Sequence, residues 1–177
     1  MKTTSAALVI ALGIATFTLA HSEESHPPSP APARPLPLPT LDQARRQAEI
    51  LHSSMHSTLH IVHHRYYHED EGLLLPAATL KEVFAALEKE QQITLRWLAV
   101  EGQVMNTDHA ARDDFEHEAV KALHADKPSY ERIENGVFRR AAPITLTNQC
   151  LKCHVPDRKS TEDRTAGLII SIPVQNK

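Results

Sequence analysis

The sequence predicts an α+β fold built on an antiparallel sheet. Three observations carry that prediction. Apolar residues recur at three- and four-residue steps over long stretches, the mark of amphipathic helices. The pair Asn135-Gly136 signals a two-residue hairpin turn between two strand-like arms. Helices and hairpins follow one another with no regular βαβ alternation, and no internal repeat is present.

Taken in order, the elements begin with Leu41, Ala44, Ala48, Leu51, Met55, Leu59, Val62 and Tyr66. They form one long amphipathic helix with Thr40 as its N-cap, and Glu71-Gly72 ends the pattern. A second helix is expected over Ala77 to Gln92, where Leu80, Val83, Phe84 and Leu87 share a face. The β-branched and aromatic run Ile93 to Val100 reads as a strand, and a third helix is expected over Asp113 to Ala125. The hairpin arms are Tyr130 to Glu134 and Val137 to Ala142, and a last strand covers Gly167 to Val174.

Ahead of this domain lie two segments of different character. Lys2 followed by the apolar run Ala6 to Leu19, with the small residues Thr18-Leu19-Ala20, predicts a signal peptide over residues 1–20. The competing reading is an uncleaved anchor, but the run is short for a bilayer span, which takes about 20 apolar residues. Cleavage would leave a mature protein with no membrane span, periplasmic or otherwise extracytoplasmic and soluble. Residues 21–39 hold seven of the 12 prolines and predict an extended linker, so the folded domain is expected over residues 40–177. With 177 residues, 41% of them hydrophobic and 23% charged, the chain suits one modest domain. Its 19 Lys and Arg are scattered among 22 Asp and Glu, which argues against a nucleic-acid partner.

The chemistry concentrates at Cys150-Leu151-Lys152-Cys153-His154, which contains both cysteines of the chain. Covalent attachment of a c-type haem needs two thiols that each add to one vinyl group of the same porphyrin. Two intervening residues set both sulfurs on one side of a turn, and the following imidazole becomes the proximal iron ligand. One haem c, attached through Cys150 and Cys153 and ligated by His154, is the expected cofactor. Other readings compete: a disulfide or thioredoxin-like redox pair, which expects a neighbouring βαβ unit, and a zinc site, which needs two more ligands.

Six histidines crowd the first helix: His52, His56, His60, His63, His64 and His68. Laid out at 3.6 residues per turn, the apolar face centres near Met55 and Val62. His60 and His64 fall nearly opposite it and read as solvent-exposed, while His52 and His63 border it and His56 sits slightly farther round. His63 is the first candidate for the distal iron ligand, Met55 the second and Met105 the third. Arg139, Arg140 and Lys152 are candidates to pair with a haem propionate. The run His68 to Glu71 reads as a solvated helix end.

The segments Arg140-Ala141-Ala142-Pro143-Ile144, Cys150 to His154, and Ala166 to Pro173 together resemble a bacterial family of exported single-haem c-type proteins. That family is catalogued mainly as a domain of unknown function. The resemblance implies a PAS-like antiparallel sheet flanked by helices, preceded here by the long N-terminal helix, and covers roughly Leu51 to Val174. It implies thioether roles for Cys150 and Cys153 and a proximal role for His154. Leu59-His60-Ile61-Val62-His63 looks similar to an Ala-Ile-x-Val-Cys-like family segment, with His63 in the place of a haem-facing Cys. Val155 departs from the Gly usual after the haem histidine.

Two axial side chains would close the iron to substrates, so the expected function is electron transfer with a redox partner protein, and no enzymatic activity. The alternative is a haem-based redox or gas sensor. Because the chain reads to Lys177 without an output domain, sensing is expected to need a separate signalling partner. A peroxidase-like enzyme would require an open distal site with an acid–base residue.

Overall fold

The structure, a computed structural model, describes residues 37–68, 71–72, 74–102, 104, 106–154 and 159–175, the side chain of Cys153 excepted. The signal segment, nearly all of the linker, Met105 and Val155 lie outside the described residues. Among the described residues, four helices and four strands follow in the order α1 (Leu41–Tyr66), α2 (Pro76–Gln91), β1 (Thr94–Ala99), α3 (Asp114–His124), β2 (Tyr130–Glu134), β3 (Val137–Leu146), α4 (Asn148–His154) and β4 (Arg164–Pro173). A 3-10 turn, Thr107–His109, stands between β1 and α3.

Local chemistry explains the element ends. Thr40 caps α1 through a capping box, its side chain accepting from Gln43 N while the Gln43 side chain accepts from Thr40 N. Pro76 starts α2, where its missing N–H costs nothing. Asp113 caps α3 by accepting from Glu116 N at 2.9 Å. Asn135 and Gly136 both take positive φ, 51° and 74°, as a type I′ hairpin turn requires.

The strands form one antiparallel sheet in the order β1-β4-β3-β2. Helices α1 and α2 pack on one face against Leu95, Trp97, Phe138, Ile144, Leu168 and Ile170. On the other face, α3 packs Phe115, Ala119 and Leu123 against Leu98, Ala141 and Ile169. With both faces covered, β4 reads as the unbroken apolar run Leu168-Ile169-Ile170 rather than as an alternation. Each fully buried Leu, Ile or Phe here contributes about 1.5–3 kcal/mol. This α+β sheet with flanking helices and a long leading helix fits the PAS-like frame expected. Among the described residues, no helix is long and apolar enough to cross a membrane.

β3 runs four residues past the arm the sequence suggested, straight through Pro143. β2 stops at Tyr130, opposite Ala141, so among the described residues no strand lies beside the edge of β3 beyond that point. The main-chain N and O of Pro143 face this open edge, where a missing N–H breaks no ladder bond. α1 covers the gap: His52 Nε2 donates to Pro143 O at 2.9 Å, and His60 Nε2 donates to Thr145 O at 3.0 Å.

Candidate functional site

At one end of the sheet, the C-terminal ends of β1 and β3 and the start of β4 lie side by side. The last turns of α1, the first turns of α2 and the helix α4 arrive at the same end. Together they enclose a cavity of ≈ 340 Å³, within the range of small-molecule and cofactor sites, about 300–1,000 Å³. Its walls are mainly apolar, with Leu59, Leu75, Trp97, Val100, Ile144 and Leu146 among them. Trp97 is fixed there by its Nε1, which donates to Ala77 O at 3.2 Å, and by Phe84, whose ring centroid is 5.0 Å away.

Three of the four residues singled out for haem binding open onto this cavity: Cys150, His154 and His63. The whole motif lies in α4, which Leu151 anchors with no exposed surface and Thr147 O starts by accepting from Cys150 N and Leu151 N. Cys150 is a free, half-buried thiol 3.6 Å from Thr147 Oγ1. The backbone of Cys153 belongs to the same helix; its side chain lies outside the described residues. His154 keeps an exposed side chain, yet burial of its imidazole against the surrounding protein holds it below the usual histidine range, and nearby His63 adds to the effect. Burial also lowers His63, helped by His60. Neutral imidazole is the form that ligates a metal. The donor set and the apolar walls therefore fit a porphyrin.

The other candidates fall elsewhere. Met55 packs into the core beneath α1 rather than lining the cavity. His60, read as solvent-exposed, is instead half-buried and lines the cavity, because the C-terminal half of α1 gains a second contact face along the open edge of β3. His64 is exposed, with Nδ1 3.3 Å from Gln149 Oε1. Arg139 and Arg140 do not reach the cavity. Arg139 lies over the Phe115 ring at 4.2 Å and pairs with Asp113 at 2.7 Å, while Arg140 pairs with Glu131 on the opposite face. Adjacent strand residues point to opposite faces, and acidic groups wait on each. Lys152 is exposed and is not part of the cavity wall.

Among the polar residues of the wall that sequence reasoning missed are Lys81, Asn106 and His109. Lys81 looked like any solvated helix residue, and the other two belong to a polar loop without periodicity. His109 is half-buried, and burial, then Lys81 and His154, hold its imidazole below the usual range.

The buried imidazoles make stability depend on pH. His52 and His56 are both lowered from 6.5, chiefly by burial. The unfolded chain therefore binds protons that the folded chain refuses, and stability falls as pH drops below 6.5. Thermal melts between about pH 8 and 5 should show a declining midpoint over the lower half of that range, and His56→Gln should flatten the decline. An unchanged slope in that variant would remove His56 from the account.

Among curated proteins no sequence match is found. The family described as Tll0287-like matches residues 38–171, which bears out the resemblance drawn from the C-terminal motifs. A similar solved structure is the crystal structure of the cyanobacterial heme-protein Tll0287, 14% identical, covering 77% of this chain and 95% of that chain, with a TM-score of 0.46.

Proposed function

The chain belongs to the Tll0287-like family, and from that premise we propose that it is an exported protein that holds one covalently attached haem and transfers electrons to a partner protein in the periplasm. The observation that carries this reading is the convergence of Cys150, His154 and His63 on one apolar-walled cavity. The protein whose name the family carries is described as a heme-protein, and the donors here suit the same group. When bound, the haem iron supplies one-electron redox chemistry.

In this reading Cys150 and Cys153 provide the two thioether sulfurs and tie the group to α4. His154 and His63 supply neutral imidazoles from α4 and α1, so two separate elements fix the orientation of the group. Trp97, Leu146 and their neighbours exclude water from it. Lys81, a cationic side chain of the cavity wall, takes the propionate role once assigned to Arg139, Arg140 or Lys152. Export rests on Lys2, the apolar run to Leu19 and Thr18-Leu19-Ala20. No catalytic residue is assigned.

Sensing through a separate partner is the second reading. Asn106 and His109 favour it, since they place further hydrogen-bonding groups in the cavity beyond the two ligating imidazoles. Absorption spectra of the purified protein separate the two. Electron transfer expects six-coordinate, low-spin bands in both oxidation states and no change with carbon monoxide. His63→Ala should then convert the spectrum to high spin and open it to carbon monoxide. A wild-type spectrum that already responds to carbon monoxide would favour sensing, and an unchanged spectrum in the variant would dismiss His63 as ligand.

A further inference from the structure

Beside the cavity, whose wall His60 also lines, α1 carries a second pair of imidazoles. His56 and His60 lie one helical turn apart, their Nε2 atoms separated by 3.1 Å and their rings edge to face with centroids 4.6 Å apart. His60 Nε2 is also 3.0 Å from Thr145 O. A carbonyl oxygen only accepts, so the hydrogen on His60 Nε2 is directed to Thr145. The contact with His56 Nε2 is then either a second, shared use of that one hydrogen or a meeting of two N–H groups. Two ring nitrogens and a carbonyl oxygen thus crowd a spot that one proton serves poorly.

We propose that His56 Nε2 and His60 Nε2 form a binding site for a divalent first-row transition-metal ion, for which His60 gives up its hydrogen bond to Thr145 O. The spacing argues for the class of ion. Donors about 2.1 Å from a metal stand about 3.0 Å apart when they are cis in a tetragonal or octahedral set, but about 3.4 Å apart in a tetrahedral one. The Nε2–Nε2 separation of 3.1 Å matches the first arrangement. Copper(II) and nickel(II), which take tetragonal nitrogen and oxygen sites, fit better than zinc. Among the described residues, no group of three or more His, Cys, Asp and Glu side chains is placed to hold a metal, so water completes the set. The site borders the cavity, since His60 lines both, but it uses neither the cysteines nor His154 or His63.

The test is a copper(II) titration of the purified full-length mature protein, followed by calorimetry and electron paramagnetic resonance. Any free thiols are first alkylated, and His21 and His26 are replaced by alanine to keep the exported N-terminus out of the titration. One ion per chain is expected, with hyperfine structure from two equatorial nitrogens and a rise in the melting midpoint. His56→Gln, which sacrifices no main-chain bond, should weaken binding at least tenfold and abolish that rise, while His64→Ala should leave both unchanged. His60→Ala should behave as His56→Gln does; if loss of its bond to Thr145 unfolds the chain, His56→Gln alone decides. Absence of a two-nitrogen site in the parent protein, or full affinity in His56→Gln, overturns the proposal.

Discussion

The double variant Cys150→Ala, Cys153→Ala is expected to carry no covalent adduct, a complete loss of the mass increment and of acid-stable haem. The reason is chemical. Imidazoles and apolar walls retain a porphyrin reversibly, and acid protonates the imidazoles and releases it, whereas a thioether survives that treatment. These two thiols are the only ones in the chain. A single change, Cys150→Ala, should leave attachment through Cys153 and one unreacted vinyl group, visible as a shift of the pyridine haemochrome band to longer wavelength. Mass spectrometry of protein made with haem-attachment machinery reads each case. A wild-type protein without adduct would return the motif to the disulfide or zinc readings.

A comparably large effect on stability is expected at Glu116, in the layer beneath α3. This carboxylate is 3% exposed and lies 2.8 Å from Arg96 Nη1 and 3.4 Å from Arg139 Nη2, while also accepting from Arg112 N at 2.7 Å. Arg96 is half-buried, and burial draws its pKa down against the pull of Glu116. Among the described residues its Nε has no hydrogen-bond partner, so its charge depends on this carboxylate and on the carbonyls of Asp108 and Ala110. Glu116→Ala leaves two guanidinium groups and one main-chain N–H short of a partner, at a cost of about 3–5 kcal/mol. Glu116→Gln keeps the acceptor for Arg112 N and should cost less. Pairing Glu116→Leu with Arg96→Met removes both charges and should recover part of the loss. Urea denaturation measures all three, and a change below about 1 kcal/mol in Glu116→Ala would show that water already screens the cluster.

Most of the frame was legible because each element advertises its own ends. Thr40 with Gln43, Asp113 with Glu116, and Asn135-Gly136 act within a few residues of themselves. The ends of α1, α2, α3 and the hairpin turn consequently agree closely with the sequence reading. What escaped depends on partners far away in the chain. β3 continues through Pro143 only because β2 is short, a fact about a different segment. The wheel position of His60 places it in solvent, yet the unpaired edge of β3 gives α1 a second face. Arg139 and Arg140 looked available for a carboxylated cofactor until α3 and β2 brought Asp113 and Glu131 against them. Cys150, His154 and His63, which open onto the cavity, could be singled out without any of this, the first two by the Cys-x-x-Cys-His spacing and the third by its place on the helix. Lys81 and His109 are cavity residues only by virtue of where α2 and the 3-10 turn are packed.

The uncovered length of β3 has one more consequence. A bare strand edge is a template on which another chain can pair, the usual first step toward self-association. Here side chains from a helix occupy the positions that a neighbouring strand would take. His52 and His60 satisfy the carbonyls of Pro143 and Thr145 in alternate register, and Pro143 offers no N–H to a visitor. The same imidazoles that give α1 its crowded look therefore close this edge to a strand from another copy.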